Sequence, residues 1–175
     1  EVVRGSHSSL YGADAIGGVI QIFTKRGQEG FHPEVKLSAG TNALQEYQAS
    51  LTGGSDKLQY RVSSNHLQTD FLHRRNDGDD DAYRNTSSSA FLSWEISNQV
   101  STEFSYQLSR GESEFDGAGL PFTKFRVESL SNKTMFDFTE NLKVTTTVAR
   151  STDLSDSRND VSGLGFGAIK TRRDS

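Results

Sequence analysis

The stretch Asn76-Asp77-Gly78-Asp79-Asp80-Asp81 packs carboxylates more densely than any other part of the chain. Asp70 precedes it, and Glu112, Glu114 and Asp116 follow in a second polar stretch. Carboxylates this crowded repel one another unless a cation neutralises them. Hard oxygen donors suit Ca²⁺, which takes about six to eight of them. The run is not an EF-hand loop, because Ala82 stands where that loop needs glycine and no glutamate closes it. The plainer alternative is a solvated acidic loop tip. The residues by themselves leave both open.

No other group of residues suggests chemistry. Gly163-Leu164-Gly165-Phe166-Gly167-Ala168 fits G-x-G-x-x-A but lacks the strand before and the helix after that a dinucleotide site needs. His7, His32, His66 and His73 are scattered without zinc spacing, and there is no cysteine for a disulfide or thiolate site. No G-x-S-x-G nucleophile elbow occurs. The chain is therefore expected not to be an enzyme. His73-Arg74-Arg75 reads as solvated surface that could meet an anionic substrate or lipopolysaccharide. A formal net charge of −4 over 175 residues gives no basic footprint for nucleic acid.

The elements that must carry the acidic stretch are strands. Val35, Leu37 and Ala39 alternate with Glu34, Lys36 and Ser38; Leu58, Tyr60 and Val62 with Gln59, Arg61 and Ser63. The same period of two runs through Tyr47–Leu51, Ala90–Ile96, Val100–Leu108 and Leu142–Val148. Such alternation puts one face in an apolar medium and the other in a polar one. Short links at Gly53-Gly54-Ser55-Asp56, Ser97-Asn98-Gln99 and Thr139-Glu140-Asn141 alternate with long polar links at 69–84, 110–124 and 151–165. Membrane barrels have this asymmetry, with short turns on one rim and long loops on the other. No apolar run approaches the roughly 20 residues of a membrane helix, but barrel strands need none.

Residues 1–26 are different. They read Val2-Val3-Arg4-Gly5, then Ser8-Ser9-Leu10-Tyr11-Gly12, then Asp14-Ala15-Ile16-Gly17-Gly18-Val19-Ile20-Gln21-Ile22. The pattern predicts a short strand, a glycine turn, a brief helical or turn element and a second strand from Gly18. This string resembles, without gaps, the end of the plug domain of TonB-dependent outer-membrane receptors.

The resemblance implies an all-β chain. Residues 1–30 would be the C-terminal part of the plug domain. Residues 31–175 would be the N-terminal portion of a transmembrane antiparallel β-barrel, its first seven to eight strands out of about 22. Both ends would be cuts through a longer receptor in the bacterial outer membrane. Arg4, Tyr11 and the glycines are read as shaping the plug.

The acidic loops resemble those of the cobalamin-receptor branch, which implies Ca²⁺ held by Asp70, Asp79, Asp81 and Asp116. The Asp70–Asp79 stretch and the following loop are shorter here than that branch's pattern. The implied substrate is cobalamin first and an iron–siderophore complex second. The implied partners are outer-membrane lipid and a TonB-type energy transducer, contacted by a segment upstream of Glu1. The alternative from another class is a soluble, calcium-dependent β-sandwich binding or adhesion module, in which a second sheet would cover the apolar face. Seven or eight strands of so large a barrel cannot close on themselves, so unpaired edges are expected.

Overall fold

The computed structural model describes residues 2–5, 18–20, 27–70, 82–114, 122–139, 141–158 and 169–174. Strand β1 (Val2–Arg4) pairs antiparallel with β2 (Gly18–Ile20), Val3 lying opposite Val19. The two short strands expected in this segment are thus present.

The other strands are β3 (Gly30–Ala39), β4 (Gln45–Gly54), β5 (Leu58–Asp70), β6 (Ala82–Ser97), β7 (Val100–Glu114), β8 (Phe122–Thr139), β9 (Leu142–Arg158) and β10 (Ile169–Asp174). They form one eight-stranded sheet in chain order, each neighbour pair antiparallel. β3 and β10 lie at its two ends and do not pair with each other, so the sheet is open. The chain is all-β, and no helix occurs among the described residues.

The short links fall where the sequence places them. Ser55 N donates to Leu58 O at 2.6 Å and closes the β4–β5 turn. Asn98 and Gln99 turn β6 into β7, with Gln99 N donating to Ser97 Oγ at 3.2 Å. Each later hairpin leans on the one before it. Glu95 N donates to Lys57 O, and Asp137 N donates to Gln99 O, both at 2.8 Å. Each bond carries the ladder to the preceding strand one step past its last pair, Leu58–Trp94 or Val100–Phe136.

The long links are shorter than expected. Composition predicts polar links over 110–124 and 151–165, yet β7 runs on to Glu114, β8 begins at Phe122 and β9 runs to Arg158. The reason is geometric. A strand of the 18 residues in β8 is about 60 Å long, or about 45 Å along the membrane normal at a tilt near 40°. The lipid band is only about 25 Å tall. Above it both faces are wet, so alternation stops while backbone pairing continues.

Register sorts the side chains into two faces. Phe31, Val35, Leu37, Tyr47, Leu51, Leu58, Tyr60, Val62, Leu92, Trp94, Phe104, Leu130 and Val148 share one of them. Among the described residues, every large apolar side chain that is well exposed lies on this face except Val127. Val35 and Leu37 are 73% and 71% exposed. No large side chain among the described residues is fully buried. A β-sandwich would bury this face under a second sheet; among the described residues nothing covers it, and the sandwich alternative is not favoured.

Candidate functional site

The polar face is hollowed. Gln48, Ser63, Asn65, Ser87, Ser89, Gln107 and Ser109, from β4 to β7, line a shallow basin of about 270 Å³. Small hydroxyls make its floor low, and they bond across strands. Ser63 Oγ lies 2.8 Å from Ser89 Oγ. Asn85 Nδ2 donates to Ser109 Oγ at 3.2 Å and to Tyr83 Oη at 2.9 Å. Arg61 Nη1 donates to Thr52 Oγ1 at 3.0 Å nearer the short-turn rim. Asn65 Oδ1 is buried in this face with no hydrogen-bond partner among the described residues.

At the long-link end of the same face, the Tyr83 and Phe125 rings stack at 6.3 Å between centroids, 21° apart in plane. Gly111 lies between their strands, opposite Asn85 and Phe125. A Cβ on Gly111 would meet Phe125 Cζ at 2.7 Å and also the Arg84 carbonyl oxygen. The missing side chain is what lets the Phe125 ring lie across the backbone towards Tyr83. The sequence reading missed this pair because it placed Gly111 and Phe125 at or beside a loop. The available cue was a glycine inside an otherwise regular strand.

Of the proposed calcium ligands, Asp70 is the last residue of β5 and is exposed. Its backbone N–H donates to Asn42 O at 2.8 Å, and Thr69 Oγ1 donates to the same oxygen at 3.0 Å. Asn42 and Ala43 have φ of 57° and 49°, the left-handed conformation that turns the β3–β4 link. Asp79, Asp81 and Asp116 lie outside the described residues, as do Arg74 and Arg75. Glu112 and Glu114, expected in the loop beside Asp116, belong to β7 instead. Glu112 lies on the apolar-band face, 3.2 Å from Arg84 Nη1 and 3.9 Å from Lys124 Nζ. Among the described residues no three His, Asp or Glu side chains gather as a metal site would require.

One face meets lipid, the other offers exchangeable hydroxyl and amide hydrogen bonds, and an aromatic pair stands near its open end.

The chain was compared with known proteins. No protein-family model matches it. Over 50 residues, 29% of this chain, it is 50% identical to the iron-regulated outer membrane virulence protein of Vibrio cholerae, of which that stretch is 7%. Over 180 aligned positions, 99% of this chain, it is 28% identical to the vitamin B12 transporter BtuB of Photobacterium profundum, of which that is 29%. Among solved structures it resembles the siderophore receptor PiuA from Acinetobacter baumannii, with a TM-score of 0.73 at 18% identity over 89% of this chain and 26% of that one. The likeness to PiuA shows the fold alone, a portion of a β-barrel. The chain spans under a third of each of these proteins. The Vibrio relative is by name an outer-membrane protein, and the outer membrane is where this chain belongs.

Proposed function

We propose that this chain is the end of the plug (residues 1–30) and the first eight barrel strands (31–175) of a TonB-dependent receptor that takes up a scarce nutrient across the outer membrane. Cobalamin is the first choice of substrate and a ferric siderophore the second. The similarity to a B12 transporter over nearly the whole chain favours cobalamin. The shorter match to an iron-regulated protein supports the alternative. The observation that carries the transporter reading is the pairing of an uncovered apolar face with a hollowed polar one on a single sheet.

On this reading the polar face meets the plug. Serine, glutamine and asparagine side chains exchange partners with water at a net cost of about 1 kcal/mol per bond or less. A plug held this way can be pulled by a periplasmic transducer without breaking an apolar interface. The receptor does no covalent chemistry; it binds at the cell surface and changes conformation under an external pull.

Ca²⁺ at Asp70, Asp79, Asp81 and Asp116 would neutralise and order the outer links. The backbone anchor of Asp70 to Asn42 supports this, because it fixes one carboxylate-bearing residue at the rim. Titration calorimetry of the full-length receptor with cobalamin, with and without Ca²⁺, tests the proposal. Tight binding that weakens when calcium is chelated is the expected result. Binding indifferent to Ca²⁺ removes the metal site. Absence of cobalamin binding together with uptake of an iron complex moves the substrate to the second choice.

A further inference from the structure

We propose that the polar side of the β4–β5 hairpin is a docking surface for the chain that enters β3, and that this hairpin is the fixed end against which the plug is pulled. The docking stands on geometry alone; its mechanical role rests on the transporter reading above.

β3 begins to pair at Gly30, opposite Gly54. A chain running straight back from there would carry Gly27 about 10 Å past the hairpin. Gly27 lies on the hairpin instead. A Cβ at Gly27 would meet Gln59 Cβ and Tyr60 N at 2.7 Å and Gly53 O at 2.8 Å. Gly53 and Tyr60 are opposite each other in the β4–β5 ladder, so Gly27 sits against that pair. Gly53 is buried, as few residues of this sheet are. The side is the polar one. Gly27 and Gln28 line a recess of about 540 Å³ with His32, Glu34, Thr52 and Arg61, four residues that register places on the polar face.

Two features make the reversal. Gly30 has a φ of 92°, which side chains other than glycine's rarely allow. His32 Nε2 donates to Glu29 O at 2.6 Å and closes the turn. Of the three atoms facing Gly27, two are backbone and the third is the root of a side chain, so none can swing aside. A larger residue at 27 must lift the chain off the hairpin.

The position matters for load. β4 and β5 are each paired on both sides, whereas the outer edge of β3 has no partner among the described residues. Seating the junction on the hairpin puts tension into the interior of the sheet and spares its edge. Residues 27–29, once freed, would add about 10 Å of slack. A pull on the plug would then straighten them before it strained the plug itself.

The test is a spin-label distance in the full-length receptor between Gln28→Cys and Lys57→Cys, both exposed positions. Contact at Gly27 and Gln59 holds the two Cα atoms within about 17 Å, so the distribution should be short and narrow. Gly27→Val should lengthen it by about 5 Å or more and broaden it. Substrate binding should stay within about twofold of wild type, while transducer-driven uptake falls several-fold. Heat-modifiable mobility shows that the barrel has folded. Should Gly27→Val not fold, Gly30→Ala strains the same turn without adding bulk against the hairpin and should act in the same direction. A long or broad distance in the otherwise wild-type receptor overturns the docking. A lengthened distance with unimpaired uptake overturns the mechanical role. Uptake that needs no transducer in wild type brings down the transporter reading and that role with it, whereas the docking is decided by the distance alone.

Discussion

The backbone N–H of Asp70 donates to the carbonyl of Asn42 across 28 residues of sequence, at 2.8 Å. Thr69 Oγ1 reaches the same oxygen, so the outer end of β5 is tied to the β3–β4 link by two bonds. The tie uses the main chain of Asp70 and leaves its carboxylate out.

That separation makes the metal proposal testable at one residue. Asp70→Asn keeps the backbone anchor and removes the charge. It should weaken calcium-dependent substrate binding several-fold while leaving the unfolding free energy within about 0.5 kcal/mol of wild type. Calorimetry at saturating Ca²⁺ reads the first quantity and thermal unfolding the second. Unchanged calcium dependence would remove Asp70 from the ligand set.

Ala43, beside Asn42, holds a φ of 49°. Left-handed backbone costs an L-residue roughly 1–2 kcal/mol that glycine largely escapes. Ala43→Gly should therefore raise stability by up to about 1 kcal/mol after the extra freedom of the unfolded chain is subtracted. Denaturant unfolding of the full-length receptor in detergent would show it. A loss of stability would mean that the Ala43 methyl contributes packing.

The two faces should differ in their tolerance of charge. Phe104 is 45% exposed on the apolar face of β7, about 10 Å above Val100 and so near mid-height of the lipid band, and Gln107 lines the basin on the other face. Phe104→Arg should destabilise by about 2–4 kcal/mol in a bilayer, and Gln107→Arg by about 1 kcal/mol or less. Equilibrium folding into lipid vesicles measures both. Equal costs would contradict the assignment of the faces.

Gly111 offers a packing test. Gly111→Ala puts a methyl against the Phe125 ring and the Arg84 carbonyl, so it should cost about 1–3 kcal/mol. Adding Phe125→Ala should recover only part of this, because the carbonyl clash remains. Full recovery would show that the ring alone sets the limit, and a neutral Gly111→Ala would show that the strand can shift.

Much of this architecture is legible in the sequence, and the physics says where legibility stops. Val35–Ala39, Leu58–Val62 and Val100–Leu108 declare themselves because lipid on one side and water on the other enforce a period of two. Lys124, Arg126, Glu128, Asp153 and Asp156 lie in strands as regular, but water on both sides leaves no hydrophobic trace. Their pairing is carried by backbone bonds, which any side chain permits. Hence Glu112, a loop carboxylate by composition, proves to be an ion-paired strand residue on the outer face. The stacked Tyr83 and Phe125 escaped notice for the same reason, their strand ends having been read as links. Among the candidate ligands, only Asp70 falls in a described element.

The overshoot of β7, β8 and β9 beyond the lipid has a kinetic consequence. Roughly 20 Å of vestibule above the bilayer is hydrogen-bonded sheet, so its backbone is ordered before any cargo arrives. A flexible collar would lose about 1–2 kcal/mol of conformational entropy per residue on closing around a molecule. In walls already paired strand to strand that loss has been met in folding, before anything enters.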